Sequence, residues 1–462
     1  MAQFDSGRSA VARICRRVGL LLAFLTCTLA GTPVFAQAVY GSIAGTVVDN
    51  TGGVLPGVTV TFTSLDRQTT DSVVTDESGY FVKERLLPGP YEVKAELAGF
   101  KTGVVSRVVV AVDSQVPLKF TLELGELTET VEVTAISPLL KTDRADVSTR
   151  FDSKELTELP IQDRNFTKVL LSTPGTQRLQ WSHAASENPQ GSTQTQVNGQ
   201  SFSGTGYQLD GTENRDPILG IIVINPTLES IGESKITSQN YDAEFGQATA
   251  GVVSVQTKSG KNNFFGSAFE FYRDESMQAR NPFSQARPDP LTGKFIPETT
   301  HNQFGGSLGG PIVRNSWFFF GDYQGTRDKV GGSRLLTVPT LAARRGDLSG
   351  YGVRIFDPLT GQEFAGGVIP EGRLSPQARA ILAALPPPNA PGSENGTRNN
   401  YVASATETFE EDSFNVRIDG RLANAINNFG RYSQGSFFRD GPTAFGAAGG
   451  QEIVSLGGVS DV

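Results

Sequence analysis

The chain has 462 residues, more than one ordinary domain holds, so two to four domains are expected. Gly 52 and Phe 29 against Met 2 and Trp 2, at 38% hydrophobic content, favour many short strands and turns over packed helices. A formal net charge of −8 argues against a nucleic-acid partner, and removal of the first 36 residues, with four Arg and one Asp, would leave −11.

Residues 1–36 have the layout of an export signal. Arg8, Arg13, Arg16 and Arg17 form a basic region, Val18 to Ala30 an apolar one, and "VFA" before Gln37 a small-residue cleavage site. The apolar run is shorter than the roughly 20 residues of a spanning helix. Cys15 and Cys27 both fall inside this segment, so the exported chain would contain no cysteine and no disulfide framework. Beyond it the longest apolar run is "ILGIIVI", Ile218 to Ile224, so membrane insertion would require a β-barrel.

From 37 to 125 about seven strands follow one another at a spacing of roughly ten residues, the pattern of a small β-sandwich of prealbumin or immunoglobulin type. Val58, Val60 and Phe62 alternate with Thr59, Thr61 and Thr63, and Tyr91, Val93 and Ala95 with Glu92, Lys94 and Glu96, giving one core face and one wet face. "DNTGG" at Asp49, "DESG" at Asp76 and "LPGPY" at Leu87 supply the turns. The phrases "GTVVDNTGGVLPGVTVTF", "TDESGYF" and "LLPGPYEV" resemble the carboxypeptidase regulatory-like family. That family's attachment to zinc carboxypeptidases makes an enzyme the first alternative, but a zinc centre needs about three N, O or S ligands. His183 and His301 are the only histidines, lie in separate polar segments and are expected in exposed loops, so no catalytic, metal or cofactor site is expected.

A Gly-flanked extended stretch, "GELTETVEVTA", runs from Gly125 to Ala135 and supplies most of a separate segment, 126–136. Val131, Val133 and Ala135 share one face, opposite Thr130, Glu132 and Thr134, so it can pair with a sheet edge.

Residues 137–261 change character. "FDSKELTELP" offers Asp152 as an N-cap with Glu155 three residues on, and "QDRNFTKVLLSTPG" repeats the layout, predicting two short helices. Short Gly-broken strands follow, making a small α+β unit. Its phrases "LDG" at Leu209, "PTLESIGESKI" and "EFGQATAGVVSVQTKSG" from Glu244 resemble the plug domain of TonB-dependent outer-membrane receptors. Gly211, Gly246 and Gly251 are expected to permit turns and close packing there.

From 262 to 462 the period becomes two. Phe265, Phe269 and Phe271 oppose Gly266, Ala268 and Glu270, while Phe414, Val416 and Ile418 oppose Ser413, Asn415, Arg417 and Asp419. An apolar exterior over a polar interior is the transmembrane-barrel pattern, which a soluble sheet packed on a core would share. Trp317 to Phe320, after a turn near Arg314 and Asn315, is expected to form an interfacial girdle. The Gly/Pro-rich stretch of about 326–410 is expected as an extracellular loop, with Glu411 and Asp412 as ordinary loop charges. Five or six strands fit the 201 residues after Lys261, too few for a closed 22-stranded barrel, so an incomplete barrel and an N-terminal portion of a longer protein are expected.

The loop phrases resemble Oar-like TonB-dependent receptors, which also carry the regulatory-like sandwich. That resemblance implies an outer-membrane location, contact with outer-membrane lipid, and a sandwich and plug on the periplasmic side. It also implies uptake of an unidentified extracellular ligand driven through TonB. Within it, Glu129, Thr130, Val131, Glu132, Val133, Thr134 and Ala135 resemble the TonB box, which binds TonB by strand addition; a last strand of the sandwich or a first strand of the plug is the other reading. A surface interaction or adhesion protein without transport is the alternative function.

Overall fold

In the computed structural model the described residues are 40–125, 130–132, 145–161, 164–178, 194–243, 245–280, 288, 292–422 and 426–454. The expected export signal with Cys15 and Cys27, and His183, lie outside them.

Seven strands build the sandwich as expected: β1 (Gly41–Asp49), β2 (Thr59–Ser64), β3 (Thr70–Val74), β4 (Tyr80–Leu86), β5 (Gly89–Glu96), β6 (Thr102–Val110) and β7 (Gln115–Leu122). One sheet has the order β4-β1-β7, with β1 antiparallel to β4 and parallel to β7. The other begins β3-β2-β5-β6. The alternation read from the sequence places Val60, Phe62, Val93 and Ala95 wholly inside, against Ile43, Val47 and Phe120 of the facing sheet. Each such side chain stabilises by about 1.5–3 kcal/mol relative to exposure. The turns use the expected chemistry: the Asp49 carboxylate accepts from the Thr51 and Gly53 amides, and that of Asp76 from the Ser78 and Tyr80 amides.

A three-residue strand, β8 (Thr130–Glu132), completes the second sheet by pairing parallel to β6.

The middle unit holds β9 (Val147–Asp152), α1 (Ser153–Glu158), β10 (Thr176–Arg178), β11 (Thr195–Val197), β12 (Thr205–Leu209), β13 (Thr212–Glu213), β14 (Ile231–Gln239) and β15 (Gly251–Thr257). Its main sheet runs β13-β12-β15-β14-β9. The capping box predicted for α1 is formed, Asp152 accepting from the Glu155 amide while Glu155 accepts from the Asp152 amide. The second predicted α-helix is instead a 3-10 helix, Phe166–Ser172, capped by Asn165. Pro174 holds Thr173 extended and ends the helix there.

Five strands form an antiparallel meander in sequence order: β16 (Phe265–Asp274), β17 (Thr299–Val313), β18 (Trp317–Leu336), β19 (Tyr401–Leu422) and β20 (Ile426–Asp440). The β17–β18 turn falls where predicted, with Asn315 at φ 62°. The long connection is shorter than the expected 326–410, because β18 and β19 stay paired from Trp317↔Gly420 out to Leu336↔Tyr401. Residues 337–400 between them are folded, with helix α2 (Pro376–Ala384) capped by Ser375; Arg344 donates to the carbonyls of Leu382 and Leu385 at the helix's C-terminal end. No helix among the described residues is long and apolar enough to cross a membrane.

The two faces of the meander differ from expectation on one strand. On β19, Val416 and Ile418 are exposed while Asn415, Arg417 and Asp419 are buried, as predicted. On β16 the Phe265, Phe269 and Phe271 face carries Ser267, whose hydroxyl donates to Glu229 of the middle unit, and Arg164 of that unit lies over the Phe269 ring at 4.2 Å. The phenylalanines therefore face inward, because a cation stacked on their rings supplies an apolar-compatible partner there. In the expected girdle, Phe318 and Phe320 are buried; Trp317 lies on the opposite face and is partly exposed.

Candidate functional site

The candidate site has two parts, the box-like stretch on the edge of the sandwich and the seam where sandwich, middle unit and meander meet. Of that stretch, Thr130, Val131 and Glu132 form β8 opposite Thr102, Gly103 and Val104 of β6. Glu129, Val133, Thr134 and Ala135 lie outside the described residues. The chain arrives there because the end of β7 is tied back to the start of β6: Lys101 N–H donates to the Glu123 carbonyl, Phe100 bridges Leu124, and Gly125 N–H donates to the Gly99 carbonyl. A segment leaving at Gly125 is thus delivered to the edge of β6.

The middle unit is gripped by the meander through buried polar groups. Asp210, of the "LDG" turn, stands at φ 51° with Gly211 at 75°, and this left-handed pair aims its carboxylate across the seam. The carboxylate accepts from the Thr257 amide at 2.8 Å and the Thr257 hydroxyl at 2.7 Å. It also pairs with Arg417 of β19 at 2.8 Å and Arg431 of β20 at 2.9 Å. Arg417 is held in turn by Asp419 at 3.0 Å and by the Phe429 ring at 4.4 Å. A second contact joins Thr227 to Asp322 of β18 at 2.6 Å, with Asn415 donating to the same carboxylate oxygen. A third joins Ser267 of β16 to Glu229 at 2.6 Å, and Glu229 also pairs within the middle unit with Arg164 at 2.8 Å beside the β16 phenylalanines. Burial holds the Arg164 guanidinium below its ordinary value, although Glu229 opposes that.

The sandwich touches both neighbours. Arg67 lies over the Phe318 ring, donates to Ser259 and stands 3.5 Å from Asp419; Lys261 pairs with Asp66 at 2.8 Å and Arg421 with Asp71 at 3.1 Å. On β14, Glu233 accepts from the Val112 amide at 3.0 Å, and Lys235 pairs with Asp113 and with Asp146. Burial raises the Glu233 carboxyl above the usual carboxylate range, partly offset by Val112, Arg150 and Lys235. Beside these contacts opens a cavity of 1070 Å³ lined by Pro88, Pro90 and Val109 of the sandwich and by Arg150 and Gln256 of the middle unit.

Two expectations for ionisable residues need correction. His301 is a strand residue, in β17, with Nδ1 2.6 Å from the Asp328 carboxylate across the ladder, and is not in a loop. Asp412 lies in β19, accepting from Arg327 at 2.9 and 3.0 Å and from the Tyr323 hydroxyl at 2.6 Å. Glu411 is in the same strand; the pairing of β18 with β19 reaches past both residues, which puts them on a ladder. No group of three or more His, Cys, Asp or Glu among the described residues could hold a metal.

Residues 42–123 match the family described as carboxypeptidase regulatory-like domain, and residues 256–461 that described as outer membrane beta barrel domain. The two matches fall on the long-stranded meander and on the sandwich, so the chain is similar to outer-membrane β-barrel proteins in the one part and to regulatory-like sandwiches in the other. The chain is similar to the TonB-dependent transporter Oar of Myxococcus xanthus, 27% identical over 331 residues, which are 68% of this chain and 30% of that protein. The chain thus spans about 30% of the length of this curated relative. Among solved structures it is similar to the outer-membrane transporter YddB from Escherichia coli, with 13% identity, TM-score 0.39, and coverage of 64% of this chain and 34% of the other. It is also similar to a mutant of the ferric enterobactin receptor PfeA from Pseudomonas aeruginosa, solved in complex with enterobactin, with 10% identity, TM-score 0.37 and coverage of 66% and 36%. Oar and YddB are transporters.

Proposed function

We propose that the chain acts in TonB-dependent uptake of a ligand across the outer membrane, with residues 137–261 as the plug and Glu129 to Ala135 as the segment that engages TonB. The observation that carries this reading is the position of that segment, between sandwich and plug, with Thr130–Glu132 extended on a sheet edge. Strand addition draws on backbone hydrogen bonds, and an edge strand of three pairs is short enough to exchange partners. TonB would either displace β6 from the segment or add to its other edge. Asp210, Glu229 and Thr227 then hold the plug against inward-facing side chains of the meander until the segment is drawn, and the sandwich lies on the periplasmic side.

Capture of the chain from solubilised membranes by the immobilised periplasmic domain of TonB tests this. A peptide spanning Glu129 to Ala135 should compete the chain off; capture that the peptide does not touch would place docking elsewhere. A surface-interaction role has one observation in its favour, the folded connection 337–400 with Phe356, Leu359 and Ile381 exposed on it.

A further inference from the structure

Lys235 is 2% exposed, on a strand of the middle unit, yet its partners belong to two other parts of the chain. An ammonium has three N–H donors. Here they meet the Asp113 carboxylate, the Asp113 carbonyl oxygen at 3.2 Å and the Asp146 carboxylate at 3.2 Å. Asp113 lies in the β6–β7 turn of the sandwich at φ 45°, a left-handed conformation that Asp tolerates. Asp146 is in the stretch that joins the box-like segment to β9, and Ser148 donates to its carboxylate at 2.9 Å. Among the described residues β9 is the edge strand of the sheet and pairs only with β14, the strand that carries Lys235.

We propose that Lys235 is a positioning residue that makes the sandwich's hold on the middle unit depend on the linker. A pull toward the N-terminal side of Ala145 acts on Asp146 before it reaches the β9 ladder. Once Asp146 withdraws, the buried ammonium keeps Asp113 alone, with one donor unmade, and the sandwich contact weakens. A cavity of 1070 Å³ opens beside the contact, between the sandwich and the middle unit. TonB docking enters only as the source of the pull, so the inference rests on the preceding reading for its cause and not for its geometry.

The test needs no TonB. In the 462-residue chain carrying Cys15→Ser and Cys27→Ser, spin labels at Thr51→Cys and Lys154→Cys, both exposed, report the sandwich-to-middle-unit distance by pulsed EPR. The parent should give one narrow distribution. Asp113→Asn and Asp146→Asn should each raise the displaced population roughly tenfold, which is about 1.4 kcal/mol, and the double variant should raise it by more than the two combined, because it leaves the buried ammonium with no carboxylate. Asp146→Glu should restore the narrow distribution. An unchanged distribution in Asp146→Asn, or additive effects in the double variant, would overturn the inference. Failure of TonB capture would leave these distances as they are, so the two readings fail separately.

Discussion

Arg417 and Asp210, 207 positions apart, meet at 2.8 Å with both side chains almost wholly buried, joining a meander strand to the turn of the middle unit. A buried pair is weak evidence for net stability, but breaking one by removing a partner costs about 3–5 kcal/mol because it strands the other charge. Arg417→Met should therefore loosen the middle unit, leaving Asp419 as well as Asp210 short of a partner. Limited proteolysis between β15 and β16 should quicken, whereas the isolated sandwich core, built on Phe62 and Phe120, should melt unchanged.

Arg164 ties Glu229 to the inward phenylalanines of β16. Arg164→Ala removes the ion pair and the stacking on Phe269, the latter worth about 0.5–2 kcal/mol. Arg164→Lys should recover only part of the loss, since a compact ammonium cannot both stack and pair as the guanidinium does. Chemical denaturation followed by a probe in the middle unit measures both.

How much of this was legible in the sequence depends on how local the cause is. Phe62 and Val93 could be placed in the sandwich core because alternation there answers to one buried face, and Asp152 with Glu155 announced α1 because a capping box closes within one turn. The inward turn of Phe269 was not legible: both sides of a membrane strand accept apolar residues, and the deciding cation, Arg164, lies more than a hundred residues upstream. Asp210 was visible only as part of a turn. Its role comes from Arg417 and Arg431, which no spacing rule connects to it. The Gly/Pro-rich stretch of about 326–410 suggested a loop, yet the pairing of Gly331 with Thr406 and Gly332 with Ala405 carries β18 on through its start.

Glu233 gives the sandwich contact a pH dependence. Its carboxyl is raised above the ordinary value by burial, facing Arg150, Lys235 and Asp152. A raised acid contributes stability that is complete below the unfolded value and is lost as pH rises through the folded one. The sandwich should therefore be held less firmly as pH climbs from about 4.5 past the raised value. Glu233→Gln keeps an acceptor for the Val112 amide and should flatten that part of the profile, read as the spin-label distance across a pH series.

Gly260 sits where the middle unit passes into the meander, and a Cβ there would press on the carbonyl oxygens of Phe319 and Gly310 and on the Phe318 side chain. Backbone cannot yield as a side-chain tip can. Gly260→Val should cost about 1–3 kcal/mol or more, seen as a lower midpoint in denaturant, while Gly246→Ala, with open space around its Cβ position, should be close to neutral.

The central claim is that the stretch around β8 engages TonB through its backbone. Val131→Pro removes one amide donor and restricts Thr130 as well, so about two interfacial hydrogen bonds of roughly 1 kcal/mol each are lost and affinity for the periplasmic domain of TonB should fall about thirtyfold. Glu132→Ala changes a side chain and leaves the backbone donors in place, so it should bind nearly as the parent does. Titration of the TonB domain against the three proteins side by side is the most direct measurement: a large loss confined to Val131→Pro is the expected result, and equal affinity of all three would contradict the account.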